Sequence, residues 1–369
     1  MLKKVFSWVV SPVIAYISKV FIYLFRYVSS KQFFRSLLKY VPMPVLIMGD
    51  KFAMKSFDQS LLSQPEKGSI ALVTQSGIVK LIVLNMMARE RLGLSKLITY
   101  DDDRSNWDVA KYLEKLAHDQ ETDVIMLHLE SIKRGREFID VAKKVSRLKP
   151  IIVLKSGKSG VGARSVMSHV GSLAGSDEIC NAAFKQSRVI RAQTIEDMLD
   201  FAKALSFQPP AKGRKVAIVT NGGGAGIVAA DACINMRLEV PELPKSIERY
   251  FQKKLPLFSG VTNPLDLKAS ATAEIYADAL DCLLEFDGID VIMLMVYPTP
   301  ALDMEKFVDV ILKLRRKYNK PMVVSATGSD KFIEYLCTLE KSSIPLYLLP
   351  ERAVVGVTAL VYYGQHLQL

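Results

Sequence analysis

Cysteine, histidine and tryptophan are scarce in this chain. Its four cysteines (Cys180, Cys233, Cys282, Cys337) are scattered over 369 residues without a CxxC pair. That spacing excludes a disulfide scaffold and the common zinc sites, and it fits a reducing cytoplasm. With only four histidines in the chain, a multi-histidine metal centre is disfavoured. Acidic side chains are missing altogether from residues 1–49, where seven basic ones stand: Lys3, Lys4, Lys19, Arg26, Lys31, Arg35 and Lys39. The formal net charge is +11, so the rest of the chain carries only +4. A basic body of the kind that binds nucleic acid does not follow from that distribution. Neither a Walker A loop nor a GxGxxG fingerprint occurs, so a P-loop ATPase and a dinucleotide fold are both unsupported. What is present is an apolar half of the composition beside 24% charge, enough for sizeable cores and against wholesale disorder. The length suggests more than one domain.

Residues 1–66 form an arm and a connecting segment. Val5 to Phe25 is mostly apolar and aromatic and is long enough to span a bilayer. Lys19 is costly at the centre of a membrane, and Pro12 breaks or kinks a helix. The same pattern fits a segment lying in the interface, so residues 1–30 are a candidate membrane contact, with a vestigial or miscalled start as the plain alternative. No small-x-small site follows the apolar run, which argues against a secretory signal.

From Gly68 onward the sequence repeats itself. Gly68–Gly77 matches Gly213–Gly222, Asp123–Leu127 matches Asp290–Leu294, and Lys149–Val153 matches Lys320–Val324. Thr194–Asp197 before an apolar helix answers Leu349–Arg352 before another. Each half alternates short β-branched runs with amphipathic stretches. Strands are expected at 70–74, 124–129 and 151–154, then at 216–220, 291–296 and 322–325; helices fall between them, as at 135–147 and 304–318. Continuous apolar strands separated by helices imply parallel sheets covered on both faces. The expected architecture is therefore two tandem flavodoxin-like α/β domains, 67–208 and 213–369, joined by the proline-containing linker Ser206–Gly213.

Two turns carry the first chemical signal. Thr74-Gln-Ser-Gly77 and Thr220-Asn-Gly-Gly-Gly-Ala-Gly226 each end a strand and open a helix. Such a turn sets free backbone N–H groups and the positive end of a helix dipole at the carboxyl edge of a sheet, which suits an anion. A tight turn that binds nothing has the same pattern, but its duplication at equivalent positions favours a site. The stretch from Lys155 to Asp177 is rich in glycine and serine and carries Lys155, Lys158, Arg164 and His169. It reads as a long functional loop rather than a core element. His169 there suits a nucleophile, with a surface histidine as the plain alternative. Glu130 ends the strand over 124–129, at the edge where ligands collect in open α/β folds. His118 and His128 read as structural. Asn263-Pro-Leu-Asp266 reads as turn and capping chemistry.

Taken together, these residues resemble the NDP-forming acyl-CoA synthetases, the family of ADP-forming acetate–CoA ligase and succinyl-CoA synthetase. The resemblance runs from about Gly68 to Tyr363, and its most specific element is SGKSGVGARSVMSHVGSLAGSD at 156–177. It implies that this stretch is a phosphohistidine loop, that His169 takes phosphate from an acyl phosphate and passes it to ADP, and that Glu130 stabilises it. It assigns Ser76, Gly77, Asn221, Gly222, Gly223 and Gly224 to phosphate binding, and no metal ligand to this chain. It implies CoA and ATP/ADP with Mg as cofactors of the assembled enzyme, and acyl phosphate and acyl-CoA as substrates.

The sequence also departs from the family. Residues 1–66 do not match its CoA-binding Rossmann domain, and no ATP-grasp pattern is found. An ATP-grasp subunit and a CoA-binding domain are thus expected in other chains of a cytoplasmic hetero-oligomer, held near the inner face of a membrane if the arm binds one. Asp102-Asp103 replaces the usual Gly-Asn, and Val170 stands where threonine usually follows the histidine. Three functions remain open: a phosphotransfer component of an acyl-CoA ligase, a catalytically degenerate scaffold, and a membrane-tethered interaction protein.

Overall fold

The computed structural model describes residues 63–100, 108–170, 175–255 and 261–368. The arm, the Asp102-Asp103 pair and the segment after Val170 lie outside the described residues. Among those described, no helix is long and apolar enough to cross a membrane.

The first half is built from β1 (Lys67–Thr74), α1 (Gly77–Arg89), β2 (Leu94–Thr99), α2 (Val109–Ala117), β3 (Val124–Leu129), α3 (Gly135–Val145), β4 (Ile151–Lys155), α4 (Gly160–Val170), α5 (Asp177–Gln186), β5 (Ile190–Ala192) and α6 (Ile195–Phe207). The second is built from β6 (Val216–Thr220), α7 (Gly223–Asn235), α8 (Lys245–Lys254), β7 (Leu265–Asp266), α9 (Ala273–Glu285), β8 (Val291–Val296), α10 (Met304–Lys317), β9 (Met322–Ala326), α11 (Asp330–Lys341), β10 (Leu346–Tyr347) and α12 (Pro350–Leu367). Each half holds one five-stranded sheet, in the orders β2-β1-β3-β4-β5 and β10-β9-β8-β6-β7. Renumbered within its own half, the second sheet has the order 2-1-3-4-5, like the first. All strand pairs are parallel. This is the doubly wound flavodoxin order.

The central strands β3, β4, β6, β8 and β9 are buried at every residue, which is why they read as mainly apolar runs. Local signals start the helices. Asp108 Oδ1 accepts the N–H groups of Ala110 and Lys111 and caps α2. Thr194 and Asp197 form a reciprocal capping box at α6. Pro350 opens α12, where a missing N–H costs nothing.

Helices cover both faces of each sheet, and one face of each meets the other half. Ala359 and Tyr363 of α12 join the core of the first sheet, and Ala204 of α6 joins that of the second. At this joint Arg352 Nη2 and Nε bond the two oxygens of Asp200 at 2.6 and 3.0 Å, and Nη1 bonds Glu90 at 3.0 Å. Lys203 Nζ reaches Glu90 and Glu340 at 3.0 and 3.1 Å. The linker after α6 is packed rather than loose. Gln208 is bonded to Met322 and Ser343, Ala211 N–H bonds Leu360 O, and Gly364 lets α12 approach Ala211 so closely that a Cβ would stand 1.9 Å from its carbonyl oxygen.

Candidate functional site

Strand β1 ends at Thr74, whose register partners are Thr99 on β2 and His128 on β3. The Thr74 hydroxyl oxygen accepts the Ser76 N–H at 3.1 Å and bends the chain toward α1. Ser76 then caps α1, its Oγ accepting the Val79 N–H at 3.4 Å. The intervening Gln75 reaches sideways. Its Oε1 accepts the N–H groups of Glu130 and Ser131 at 2.5 and 3.1 Å, and its Nε2 donates to Ser131 O at 3.2 Å. The helix-opening turn is thereby clipped to the turn that carries Glu130. Where a Cβ would stand on Gly77 there is open space.

Two further groups tie this edge together. The buried His128 ring lies between two hydroxyls, with Nδ1 3.1 Å from Thr74 Oγ1 and Nε2 2.8 Å from Ser156 Oγ. Burial, with the charge of Lys155 adding to it, holds the His128 imidazole down to about 4, so it is neutral at physiological pH. Lys155, the last residue of β4, is only 2% exposed. Its ammonium donates to the carbonyl oxygens of Glu130 at 2.8 Å and Ser156 at 2.5 Å. Burial lowers the Lys155 pKa from its ordinary value.

His169 lies in the last turn of α4. This corrects the expectation of an extended loop. Ser159 Oγ accepts the Gly162 N–H and starts the helix, while the hydroxyls of Ser165 and Ser168 bond back to the carbonyls four residues before them. The serines that read as loop formers thus satisfy a helix. Lys158 is tied to the Gln193 carbonyl at 2.7 Å.

The second half repeats the same hydrogen bonds. Thr220 Oγ1 accepts the Gly222 N–H at 2.9 Å. Asn221 grips Tyr297 on both sides, its Oδ1 accepting the N–H and its Nδ2 donating to the carbonyl, each at 2.9 Å. Helix α7 starts after Gly222 without a side-chain cap, and the Gly222 carbonyl accepts the N–H groups of Ala225 and Gly226 at 3.0 and 3.3 Å. Gly223 needs its missing Cβ, because one would stand 2.5 Å from Asp266 Oδ2. Asp266 is paired with Lys268, Oδ2 to Nζ at 2.7 Å and Oδ1 to the backbone N–H at 3.0 Å. Gly224 faces open space.

The structure brings Ser76, Gly77 and Glu130 to one sheet edge, and Asn221, Gly222, Gly223 and Gly224 to the equivalent edge of the other sheet. Each edge offers helix N–H groups to an anion. Among the described residues no group of three His, Cys, Asp or Glu side chains is placed to hold a metal ion. The sequence reading took His128 as structural, counted Lys155 among the cations of the loop and gave Asp266 to turn chemistry; it missed the bridge that His128 makes, the burial of the Lys155 ammonium, and the pairing of Asp266 with Lys268. A charged or imidazole side chain inside an apolar strand was the available signal for the first two.

Two family profiles match in tandem: a succinyl-CoA ligase like flavodoxin domain over residues 67–205 and a ligase-CoA domain over residues 216–363. The alpha subunit of Pyrococcus furiosus acetate–CoA ligase [ADP-forming] I is 37% identical over 303 residues, covering 81% of this chain and 64% of that one. The alpha subunit of isoenzyme II from the same organism is 37% identical over 318 residues, covering 84% and 68%. Among solved structures, the dinucleotide forming acetyl-coenzyme A synthetase 1 of Ca. Korarchaeum cryptofilum, in complex with phosphate and ADP, superposes with a TM-score of 0.76 at 33% identity, covering 82% of this chain and 66% of that one. The chain thus spans about two thirds of the length of these relatives.

Proposed function

The chain belongs to the ADP-forming acyl-CoA ligase family, and from that premise we propose that it is the phosphotransfer component of such a ligase. His169 is the nucleophile. Its ring nitrogen attacks the phosphorus of an acyl phosphate; a P–N bond forms, the P–O bond to the acyl group breaks, and the carboxylate leaves. The phosphoryl group then passes to ADP. In the reverse direction it activates the acid. Glu130 stabilises the charged forms of the imidazole, and the N–H groups at Ser76, Gly77, Asn221, Gly222, Gly223 and Gly224 receive the phosphoryl oxygens. CoA and the Mg-bound nucleotide are held by a CoA-binding domain and an ATP-grasp subunit in partner chains, in a cytoplasmic hetero-oligomer.

One observation carries this reading. Gln75, inside the helix-opening turn, binds the main-chain N–H of Glu130. The helix-opening turn and the main chain that carries Glu130 are thereby tied together, which supports a site in which both face one phosphoryl group. A second reading, a non-catalytic scaffold that keeps the fold, is favoured by Asp266, whose carboxylate stands beside Gly223 at the second turn and is already paired with Lys268.

Incubation with ³²P-labelled acetyl phosphate, alone and with the partner subunits supplied, distinguishes the two. Phosphotransfer predicts an acid-labile, base-stable label that disappears in His169→Ala. A wild-type chain that takes no label under either condition leaves the scaffold reading standing.

A further inference from the structure

We propose that Lys155 is a positioning residue for phosphoryl transfer at His169. Its buried ammonium locks the Glu130 turn to the start of the segment that carries the histidine. The inference rests on the phosphotransfer reading above and adds a residue to it.

The internal repeat supplies the argument. In the alignment of the two halves, Lys149–Val153 answers Lys320–Val324, so Lys155 answers Ala326 at the end of β9. The register agrees. Leu129 on β3 pairs with Lys155, and Val296 on β8 pairs with Ala326. Ala326 is fully buried, and its sheet has the same order and the same Thr–amide clip. The fold therefore has no need of a cation at this place. Burying an ammonium is costly, and the first half bears that cost at a position where the second half buries a methyl group.

The two polar neighbours of Lys155 follow the same pattern. His128 answers Met295, and Glu130 answers Tyr297. Three polar side chains thus stand at the carboxyl edge of the first sheet where the second carries methionine, tyrosine and alanine. They sit in the half that contains His169.

The contacts say what the lysine does. One ammonium holds the carbonyl of Glu130 and the carbonyl of Ser156. Four residues after Ser156, α4 begins and leads to His169. The lysine therefore sets the distance between the carboxylate's turn and the histidine's helix. The charged and titratable groups around it are Cys180 and Asp177 on α5, Arg191 on β5, and Glu130 and His128 at the end of β3.

The test compares full-length wild type, Lys155→Met, Lys155→Ala and Cys180→Ser. Each is labelled with ³²P-acetyl phosphate across an alkaline pH series, and each is unfolded in urea. Lys155→Ala places in the first half the residue that the second half carries, in case methionine does not fit.

The expected result has two parts that move in opposite directions. At least one lysine variant unfolds at or above the wild-type midpoint, since a buried charge has been removed. Its labelling rate nevertheless falls about tenfold to hundredfold, the scale set by a misplacement of roughly 1 Å. Wild type and Cys180→Ser lose labelling as pH rises and the lysine gives up its proton; the lysine variants lack that alkaline decline.

Labelling of the lysine variants at the wild-type rate, or labelling lost only in proportion to lost stability, overturns the role of Lys155. So does disappearance of the alkaline decline in Cys180→Ser, which assigns it to the thiol. A wild type that never labels overturns the phosphotransfer reading itself, and the positioning role with it.

Discussion

Replacing Arg352 by methionine tests the joint between the halves. The guanidinium makes its closest bonds to Asp200, which is 1% exposed, and one to Glu90. Methionine keeps most of the volume and removes the charge. Lys203 remains to serve Glu90 and Glu340, but Asp200 loses its counter-ion. Breaking a buried pair from one side costs about 3–5 kcal/mol.

The pH dependence of that cost is specific. Burial already pushes the Asp200 carboxyl up to about 6, against the pull of Arg352. Without the guanidinium the folded pKa rises further, while the unfolded value stays near 3.8. A group whose pKa is raised on folding adds stability that is complete below its unfolded pKa and is lost as pH rises through its folded one. The variant is therefore weakest at pH 8 and recovers on acidification toward pH 5, by at most about 1.4 kcal/mol per pH unit for one proton. Urea unfolding of both proteins at pH 5, 6, 7 and 8 measures this. Adding Asp200→Asn to the variant should restore most of the loss at pH 8, because the uncompensated charge is gone. A loss under about 1 kcal/mol at pH 8, or one that does not shrink on acidification, refutes the buried-pair reasoning.

Two other substitutions test the proposal that the two helix-opening turns bind an anion. Phosphate should raise the melting temperature of the wild type by binding the native state. Gly223→Val, which drives a side chain into Asp266, should abolish that shift, and a phosphate shift of wild-type size in this variant would remove the α7 turn from the site. Gln75→Leu leaves the N–H groups of Glu130 and Ser131 without their shared acceptor and should cost about 1–3 kcal/mol in urea unfolding. An unchanged midpoint would show that the clip contributes nothing.

The central strands were legible in the sequence because they are buried on both faces. The runs at 124–129, 216–220 and 291–296 appear at their expected bounds. The edge strands were not. β5, β7 and β10 have two or three residues each and exist through pairing with a neighbour rather than through any pattern of their own. β2 was missed for a different reason: all six of its residues are half-buried, so apolar and charged side chains mix. The helix carrying His169 was hidden by composition. Glycine and serine disfavour helix by propensity, and here serine hydroxyls bonded to carbonyls within the helix offset that tendency. At the site, the turns and Glu130 were visible as strand ends. The sideways reach of Gln75 and Asn221 was not, because it joins residues more than fifty positions apart.

The duplication itself separates scaffold from chemistry. Both halves keep the threonine that bends the chain and the amide that clips the neighbouring strand, so these belong to the fold. What differs at equivalent positions is free of that duty. By this criterion His128, Glu130 and Lys155 stand apart from Met295, Tyr297 and Ala326, and all three are buried polar groups whose burial the fold does not demand. Asp266 stands apart in the opposite sense. It answers Thr99 in register, since Thr74 pairs with Thr99 as Thr220 pairs with Asp266, and it brings a carboxylate to the turn with the uncapped helix. The two edges are thus built on one scaffold with different charge. The first gathers a cation and a carboxylate beside a serine-capped helix. The second sets a carboxylate, neutralised by Lys268, beside a glycine-opened one. The scaffold common to both halves is complete without the buried ammonium, which stands only in the half with the histidine, and that is why the positioning role of Lys155 is the sharper test of whether this site transfers phosphate.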